Sequence, residues 1–552
     1  MKRVKKNAVT SILAVCLAFI MAFSTGMTAA AEGGDLTSES AGNITISGIE
    51  TDESGYGIGT LCAYQVIKVN VNNDSHQPQS PVFKWDDSVA SWVSTNFSSY
   101  IDTKNGNAVT DAFLGLADNS DYIKAFVDQL ANAIRKTDST ITLTPASYEL
   151  STYSPVGDSK AITLENIPLG AYLFLVEGGV RIYSPGFASV YPAYDEKTDK
   201  WVPASGDPID VYMKSEEPGI DKTVEDYTYA VGQTVNYRLI VDVPDYPDNA
   251  VDRKFIIADY LSEGLTFNDD VRIYNYDGNA VNNNYKGNEI TKSFEAYTFT
   301  EEKDHPAEGI APSFARSFIG DYSSLAEKVI VEYSATVNEK AVVKVDAATD
   351  NKLDNKVYLI YNNNPYTEDG YREIPDEERV YTYGIQVTKT DNDKEKLAGA
   401  EFNLKQGEDT LKFVKDGSVY RLLLTEQEAD EKASVTLVTD KNGLIMIKGL
   451  DLGTYTLVET KAPDGYELPA DPKTVITLAD DADDSGKPDG ILNNDPDGND
   501  SDGTFETTVV NTKPGIIPVT GGVGTALFTI FGLLLMSGAV ILVVTVSRRK
   551  SH

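Results

Sequence analysis

TYTLVETKAPDGY, Thr454 to Tyr466, alternates along its first half in a way that only an extended backbone makes sense of. Side chains two apart share a face of a strand, so Tyr455, Leu457 and Glu459 point one way. The stretch therefore reads as a β-strand, and it sets a carboxylate in register with two core residues. An earlier segment echoes it. Leu169-Gly170-Ala171-Tyr172-Leu173-Phe174-Leu175-Val176-Glu177 parallels Leu452-Gly453-Thr454-Tyr455-Thr456-Leu457-Val458-Glu459, with one more residue between tyrosine and glutamate. An odd insertion turns a side chain to the other face, so the two glutamates need not share a task. Glu177, like Lys68, is read as structural.

Working outward, short alternating runs separated by Gly, Asn and Asp dominate, and 31 tyrosines accompany them. The chain is predicted to be mainly β, with three tandem immunoglobulin-like sandwich domains. Their expected bounds are 32–215, 216–380 and 381–512, with breaks at SEEPGIDK and ERVYTYGIQV. One helix is expected, from Asp121 to Lys136, where Ile123, Phe126, Val127, Leu130 and Ile134 recur at helical spacing behind the cap Ser120.

The two ends have a different character. Lys2, Arg3, Lys5 and Lys6 precede an apolar run, and Ala29-Ala30-Ala31 offers a small-residue cleavage site, so residues 1–31 read as a secretory signal peptide. Val523 to Val546 is an uncharged apolar run long enough to cross a bilayer, followed by Arg548, Arg549 and Lys550. Residues 513–552 thus read as a turn, a transmembrane helix and a basic tail. The formal net charge is −36, and the 84 acidic residues all lie between these ends. Such a surface repels nucleic acid and anionic lipid. Cys16 would leave with the signal peptide, and Cys62 alone cannot form an internal disulfide.

Enzyme chemistry is poorly supplied. His76, His305 and His552 are scattered, with no metal-binding, phosphate-binding or nucleophile-elbow motif, so no cofactor and no metal is expected. Cys62 alternates with Tyr64 and Val66 and reads as a small core residue rather than the nucleophile of a dyad with His76. The acidic loop from Asp480 to Gly503 could hold calcium but lacks the spacing of an EF-hand, and it reads as a solvated loop.

The unusual feature is polar groups on core faces. In the third segment Lys389 aligns with Ile385 and Val387, Glu459 with Tyr455 and Leu457, and Asn511 with Phe505 and Val509. In the second, Lys222 aligns with Ile220 and Val224, Asp259 with Phe255, Ile257 and Leu261, and Asn355 with Leu353, Val357 and Leu359. Each set holds one amine, one carboxyl and one amide. Burial drives the amine and the carboxyl toward neutrality. A neutral amine is a nucleophile, and a protonated carboxyl can polarise an amide and shuttle protons. If the three meet, the lysine can attack the asparagine, expel ammonia and leave a Lys–Asn isopeptide bond, with Glu459 and Asp259 as the catalytic groups. No asparagine lies between Pro168 and Lys214, so no such bond is expected in the first domain.

VTKTD, LAGAEFNL, YTLVETKAPDGY and VVNTK resemble the collagen-adhesin B-type domain, in which such Lys, Glu and Asn residues form an autocatalytic bond. IDKTV, IIADYLSEGLTF and NKVYLIYNNNP resemble the middle domain of backbone pilins, whose carboxyl is an aspartate. Ile517-Pro518-Val519-Thr520-Gly521, with the apolar span and basic tail, resembles the LPxTG cell-wall sorting signal, with Ile in place of Leu. VYMKS resembles the pilin motif VYPKN, and alternation turns Asp210, Tyr212 and Lys214 to solvent while Ile209, Val211 and Met213 face inward. VYPAYDEK holds Val190-Tyr191-Pro192, but its nearest lysine, Lys197, is too far along.

The whole chain thus resembles a backbone pilin of sortase-assembled Gram-positive pili. That resemblance implies a secreted structural protein, not an enzyme, held briefly in the membrane and then placed on the cell wall and pilus surface. It implies a class C sortase that cuts after Thr520 and joins its carboxyl to Lys214 of an identical subunit. Minor pilins, peptidoglycan reached through a housekeeping sortase, and host surface ligands would be further partners. The alternative is a monomeric wall-anchored adhesin in which Lys214 is idle.

Overall fold

The computed structural model describes residues 35–116, 120–136, 139–153, 161–195, 199–203, 209–246, 250–278, 285–299, 311–344, 351–364, 370–423, 433–482, 486–493, 502–514 and 523–549. The signal peptide, the sorting residues Ile517 to Gly521 and Lys197 lie outside them. Strands dominate, and the chain divides into two compact units.

The first unit comprises residues 1–227, 234–340 and 352–380. Its N-terminal part is built on the strand Thr60–Asn72, flanked by Gly170–Glu177 and Gln77–Trp85 in a seven-stranded sheet. A second sheet places Ala41–Ser47 between Ile162–Pro168 and Ile209–Tyr212, the latter running parallel to it. The expected helix forms as Asp121–Arg135, where Ser120 Oγ accepts from Ile123 N at 3.3 Å. It buries Ile123, Phe126, Val127 and Leu130, and Phe126 lies edge-on to Phe113. A helix that hydrophobic spacing did not announce, Asp87–Asn96, starts at Asp86, whose carboxylate accepts from Ser88 N at 2.9 Å. Asp86 also holds Lys68 at 2.6 Å, which gives that lysine a structural partner.

The rest of the first unit is two facing sheets. One orders Ile220–Val224, Thr234–Asp242, Lys328–Val337, Arg272–Tyr276 and Lys286–Glu289, with Leu265–Phe267 also on the Lys328–Val337 strand. The other orders Phe294–Ala296, Phe314–Phe318, Phe255–Leu261, Asp354–Tyr361 and Arg372–Arg379. Phe255 to Tyr260 are all buried, Asp259 among them, and so are Leu353, Asn355, Val357 and Leu359.

The second unit holds residues 228–233, 341–351 and 381–552. One sheet runs Ala433–Ser434, Phe413–Asp416, Val419–Leu422, Leu444–Leu450, Tyr383–Asp391 and Thr504–Asn511; the other is centred on Glu401–Gln406 and Gly453–Lys461. Two short segments that precede residue 381 pack here. Val231 N donates to Gly449 O at 3.0 Å, and Gly503 N donates to Lys344 O at 2.7 Å. The internal echo survives as geometry. Tyr172 donates to Pro168 O and Tyr455 to Asp451 O, each at 2.8 Å and each four residues back.

Val523–Arg549 is a helix, with side chains described from 527 to 543; apart from Thr529 and Ser537 these are apolar, and most are exposed. Among the described residues no helix is long and apolar enough to cross a membrane.

Candidate functional site

Lys222 leaves the first sheet of its domain and reaches across to the second. Its strand pairs with Thr234–Asp242, whereas Asp259 and Asn355 stand on adjacent strands of the opposite sheet, two residues apart in register. The side chains of Lys222 and Asp259 are wholly buried, and so is Asn355. Lys222 Nζ donates to Asp259 Oδ2 at 2.7 Å and to Asn355 Oδ1 at 2.6 Å. The amine is thus held beside the amide carbonyl it would attack.

Burial pushes the Lys222 amine down, against the pull of Asp259, and burial likewise pushes the Asp259 carboxyl up, against Lys222 and the hydroxyl of Tyr333. Both shifts favour the neutral pair, because an ion pair taken fully out of water recovers little of its hydration energy. Among the described residues Asp259 Oδ1 has no hydrogen-bond partner, an arrangement easier for a neutral carboxyl than for a carboxylate.

Alternation did not single out Tyr333. It sits on Lys328–Val337, in phase with Val329, Val331 and Ala335, where nothing in the pattern sets it apart from a core aromatic. Its hydroxyl donates to Asp259 Oδ2 at 2.5 Å and accepts from Asn355 Nδ2 at 2.9 Å. Lys222 Nζ lies 5.3 Å from the Tyr237 ring centroid and 5.7 Å from that of Tyr333, so aromatic faces line the amine. The presence of a tyrosine was legible; its place between a carboxyl and an amide was not, because that depends on two strands of the opposite sheet.

The second triad is arranged otherwise. Lys389 and Asn511 stand on neighbouring parallel strands of one sheet, where Lys389 is opposite Val509 and Asn511 opposite Asp391. Glu459 comes from the facing sheet. All three are 0–1% exposed. Asn511 Nδ2 donates to Glu459 Oε1 at 2.7 Å and to Glu467 O at 3.1 Å. Lys389 Nζ donates instead to a backbone carbonyl, Val509 O at 2.9 Å. Burial pushes the Lys389 amine down to about 8 despite Glu459, and burial raises the Glu459 carboxyl despite its bond from Asn511 and the nearby Lys389. Among the described residues Glu459 Oε2 and Asn511 Oδ1 are buried without hydrogen-bond partners.

Lys214 is exposed between the strands Ile209–Tyr212 and Ser215–Glu216, while Val211 and Met213 are buried. Its carbonyl accepts from Ser184 N at 2.9 Å, which fixes the backbone beneath it. In the rival tripeptide Val190 is buried and the Tyr191 ring packs on Phe83 at 4.4 Å. Cys62 is buried, and its thiol is pushed up by that burial, the reverse of what activates a nucleophile. Asp480, at the head of the acidic loop, accepts from Tyr383 Oη at 2.5 Å and from Gly490 N at 2.8 Å. Among the described residues no cluster of His, Cys, Asp and Glu could hold a metal ion.

The prealbumin-like fold domain family matches residues 383–486, and the LPXTG cell wall anchor motif matches residues 510–552. The trypsin-resistant surface T6 protein of Streptococcus pyogenes serotype M6 is 28% identical over 413 residues, covering 61% of this chain and 70% of the relative. The fimbrial subunit type 1 of Actinomyces viscosus is 26% identical over 391 residues, covering 62% of this chain and 66% of the relative. The solved structure of the T6 backbone pilin, described as a modular three-domain structure, superposes with a TM-score of 0.54 at 21% identity, covering 87% of this chain and 100% of that one.

The chain is therefore a mostly β, multi-domain surface protein with a cell wall anchor motif. Within that class it is similar to the backbone pilins of Gram-positive pili, structural proteins of the cell wall and pilus surface.

Proposed function

We propose that this pilus subunit is polymerised covalently, a class C sortase joining the Thr520 carboxyl of one copy to Lys214 of the next. Two internal bonds, Lys222–Asn355 and Lys389–Asn511, harden each copy, formed by the chain itself with Asp259 and Glu459 as catalytic groups. One observation carries the reading. Lys214 is exposed at the end of its strand, whereas Lys222, eight residues on, is buried 2.6 Å from an asparagine carbonyl. Two neighbouring lysines thus have opposite access, one to another molecule and one only to its own chain.

The internal reaction balances without a cofactor. Nζ–Cγ forms, Cγ–Nδ2 breaks, one proton passes from Nζ to Nδ2, and ammonia leaves. Each closed loop is roughly 120 to 135 residues long, and by analogy with disulfides each bond stabilises by about 5 kcal/mol. The sortase reaction attaches the subunits, minor pilins would join the same fibre, and a housekeeping sortase would fix its base to peptidoglycan. A denaturing gel of wall extracts tests the polymer. The wild type should give a ladder that Lys214→Ala loses. A single wild-type band would contradict the polymer and leave a monomeric wall-anchored adhesin.

A further inference from the structure

The two triads differ at the atom that must leave. In the second unit Glu459 Oε1 touches Asn511 Nδ2 directly, at 2.7 Å. In the middle domain Asp259 does not reach Asn355 Nδ2; its Oδ2 is engaged with Lys222 Nζ at 2.7 Å and with the Tyr333 hydroxyl at 2.5 Å, and Tyr333 in turn is 2.9 Å from Asn355 Nδ2. A carboxyl that must protonate a leaving nitrogen here has a hydroxyl in the way.

We infer that Tyr333 is a catalytic residue of the Lys222–Asn355 reaction, its hydroxyl relaying a proton from Asp259 Oδ2 to the departing Nδ2. This rests on the isopeptide reading above. Neutral Lys222 attacks Cγ, and the carbonyl oxygen takes the electron pair. Once Nδ2 has turned tetrahedral and basic, the Tyr333 hydroxyl proton turns from Oδ2 toward it; Asp259 Oδ2 then gives its proton to the Tyr333 oxygen as Tyr333 gives its own to Nδ2. Oδ2 then takes the proton that Nζ sheds. The oxyanion collapses, ammonia departs, and both Tyr333 and Asp259 end with the protons they began with.

The ring is placed for this. Phe314 lies edge-on at 4.9 Å and Tyr237 stacks at 5.3 Å, so the hydroxyl is held by packing from two directions. Burial also pushes the Tyr333 hydroxyl far up, which keeps it neutral and able to donate and accept in one step. Positioned proton transfer is worth about 10²–10⁴ in rate.

The test follows crosslink formation in newly synthesised full-length chain by peptide-resolved mass spectrometry. Tyr333→Phe should slow the Lys222–Asn355 bond by roughly 100-fold or more while Lys389–Asn511 closes at the wild-type rate, and a retained unfolding transition of the first unit reports that the part of the chain around residue 333 has folded. Formation of both bonds at wild-type rates in Tyr333→Phe would overturn the relay. Should that variant misfold, 3-fluorotyrosine at position 333 keeps the shape and changes hydroxyl acidity. A changed Lys222–Asn355 rate supports the relay, and an unchanged one refutes it. Absence of the Lys222–Asn355 bond from the wild type would instead refute the isopeptide reading itself.

Discussion

The triad Lys222, Asp259 and Asn355 in the first unit and the triad Lys389, Glu459 and Asn511 in the second bury the same three kinds of group and arrange them differently. In the middle domain the amine crosses between sheets to reach its amide, so a bond there would staple one sheet to the other. In the C-terminal domain amine and amide stand on adjacent strands of one sheet, the first and last of the domain, and only the carboxyl comes from across. Chemistry of this kind asks for contact and burial, not for one topology. The two designs also leave different fallbacks. Among the described residues the Lys222 amine donates to the side chains of Asp259 and Asn355, whereas Lys389 donates to the main-chain Val509 O.

That difference ranks the substitutions. Asp259→Ala should be the most damaging, because it prevents the bond and leaves a buried amine without its acid. The lost crosslink costs about 5 kcal/mol and the buried amine left without one hydrogen-bond partner about 1–3 kcal/mol more. At about 2–4 °C per kcal/mol for a domain of this size, calorimetry should show the middle transition lowered by about 15 °C or more. A drop of only a few degrees would mean that Asp259 is an ordinary core residue.

Glu459→Gln should be milder. It also blocks its bond, yet it is nearly isosteric and Lys389 keeps its carbonyl partner, so the loss is about 5 kcal/mol at most. The C-terminal transition should fall less than the middle one does in Asp259→Ala. Equal losses in the two would erase the distinction between the sites.

The pH dependence sharpens the contrast further. In the unreacted C-terminal domain, burial holds the Lys389 amine down to about 8, below its unfolded value, so folding favours proton release and the nucleophile is mostly neutral above about 8. Its bond should form about tenfold more slowly per unit below that point and level off above it. The middle site should respond little between about pH 6 and 9, since Lys222 hands its proton to Asp259 within a closed pair. Timed mass spectra across this range check both, and parallel profiles would contradict the difference.

Lys214→Ala should have the smallest effect on the fold, within about 0.5 kcal/mol, because the side chain is exposed and its carbonyl keeps Ser184. Both internal bonds should persist in it while the polymer ladder disappears.

Much of this was legible in the sequence because strand parity is a local rule. It read Lys222, Asp259, Asn355, Lys389, Glu459 and Asn511 as facing inward and Lys214 as facing out; the six are buried and Lys214 is exposed. What alternation cannot carry is contact between elements. Hence Tyr333 was one apolar-face residue among several, the docking of Lys389 on a main-chain carbonyl was invisible, and residues 228–233 and 341–351 were assigned by chain order although they pack with residues beyond 381. The helix Asp87–Asn96 escaped because its signal lies in the Asp86 cap rather than in a long apolar stripe.

The most direct measurement is the intact mass of the secreted, unpolymerised chain. It should fall short of the mass calculated from its sequence by two molecules of ammonia, one deficit mapping to the Lys222–Asn355 peptide pair and one to Lys389–Asn511. A mass equal to the calculated value, with both lysines recovered as free amines, would contradict the account.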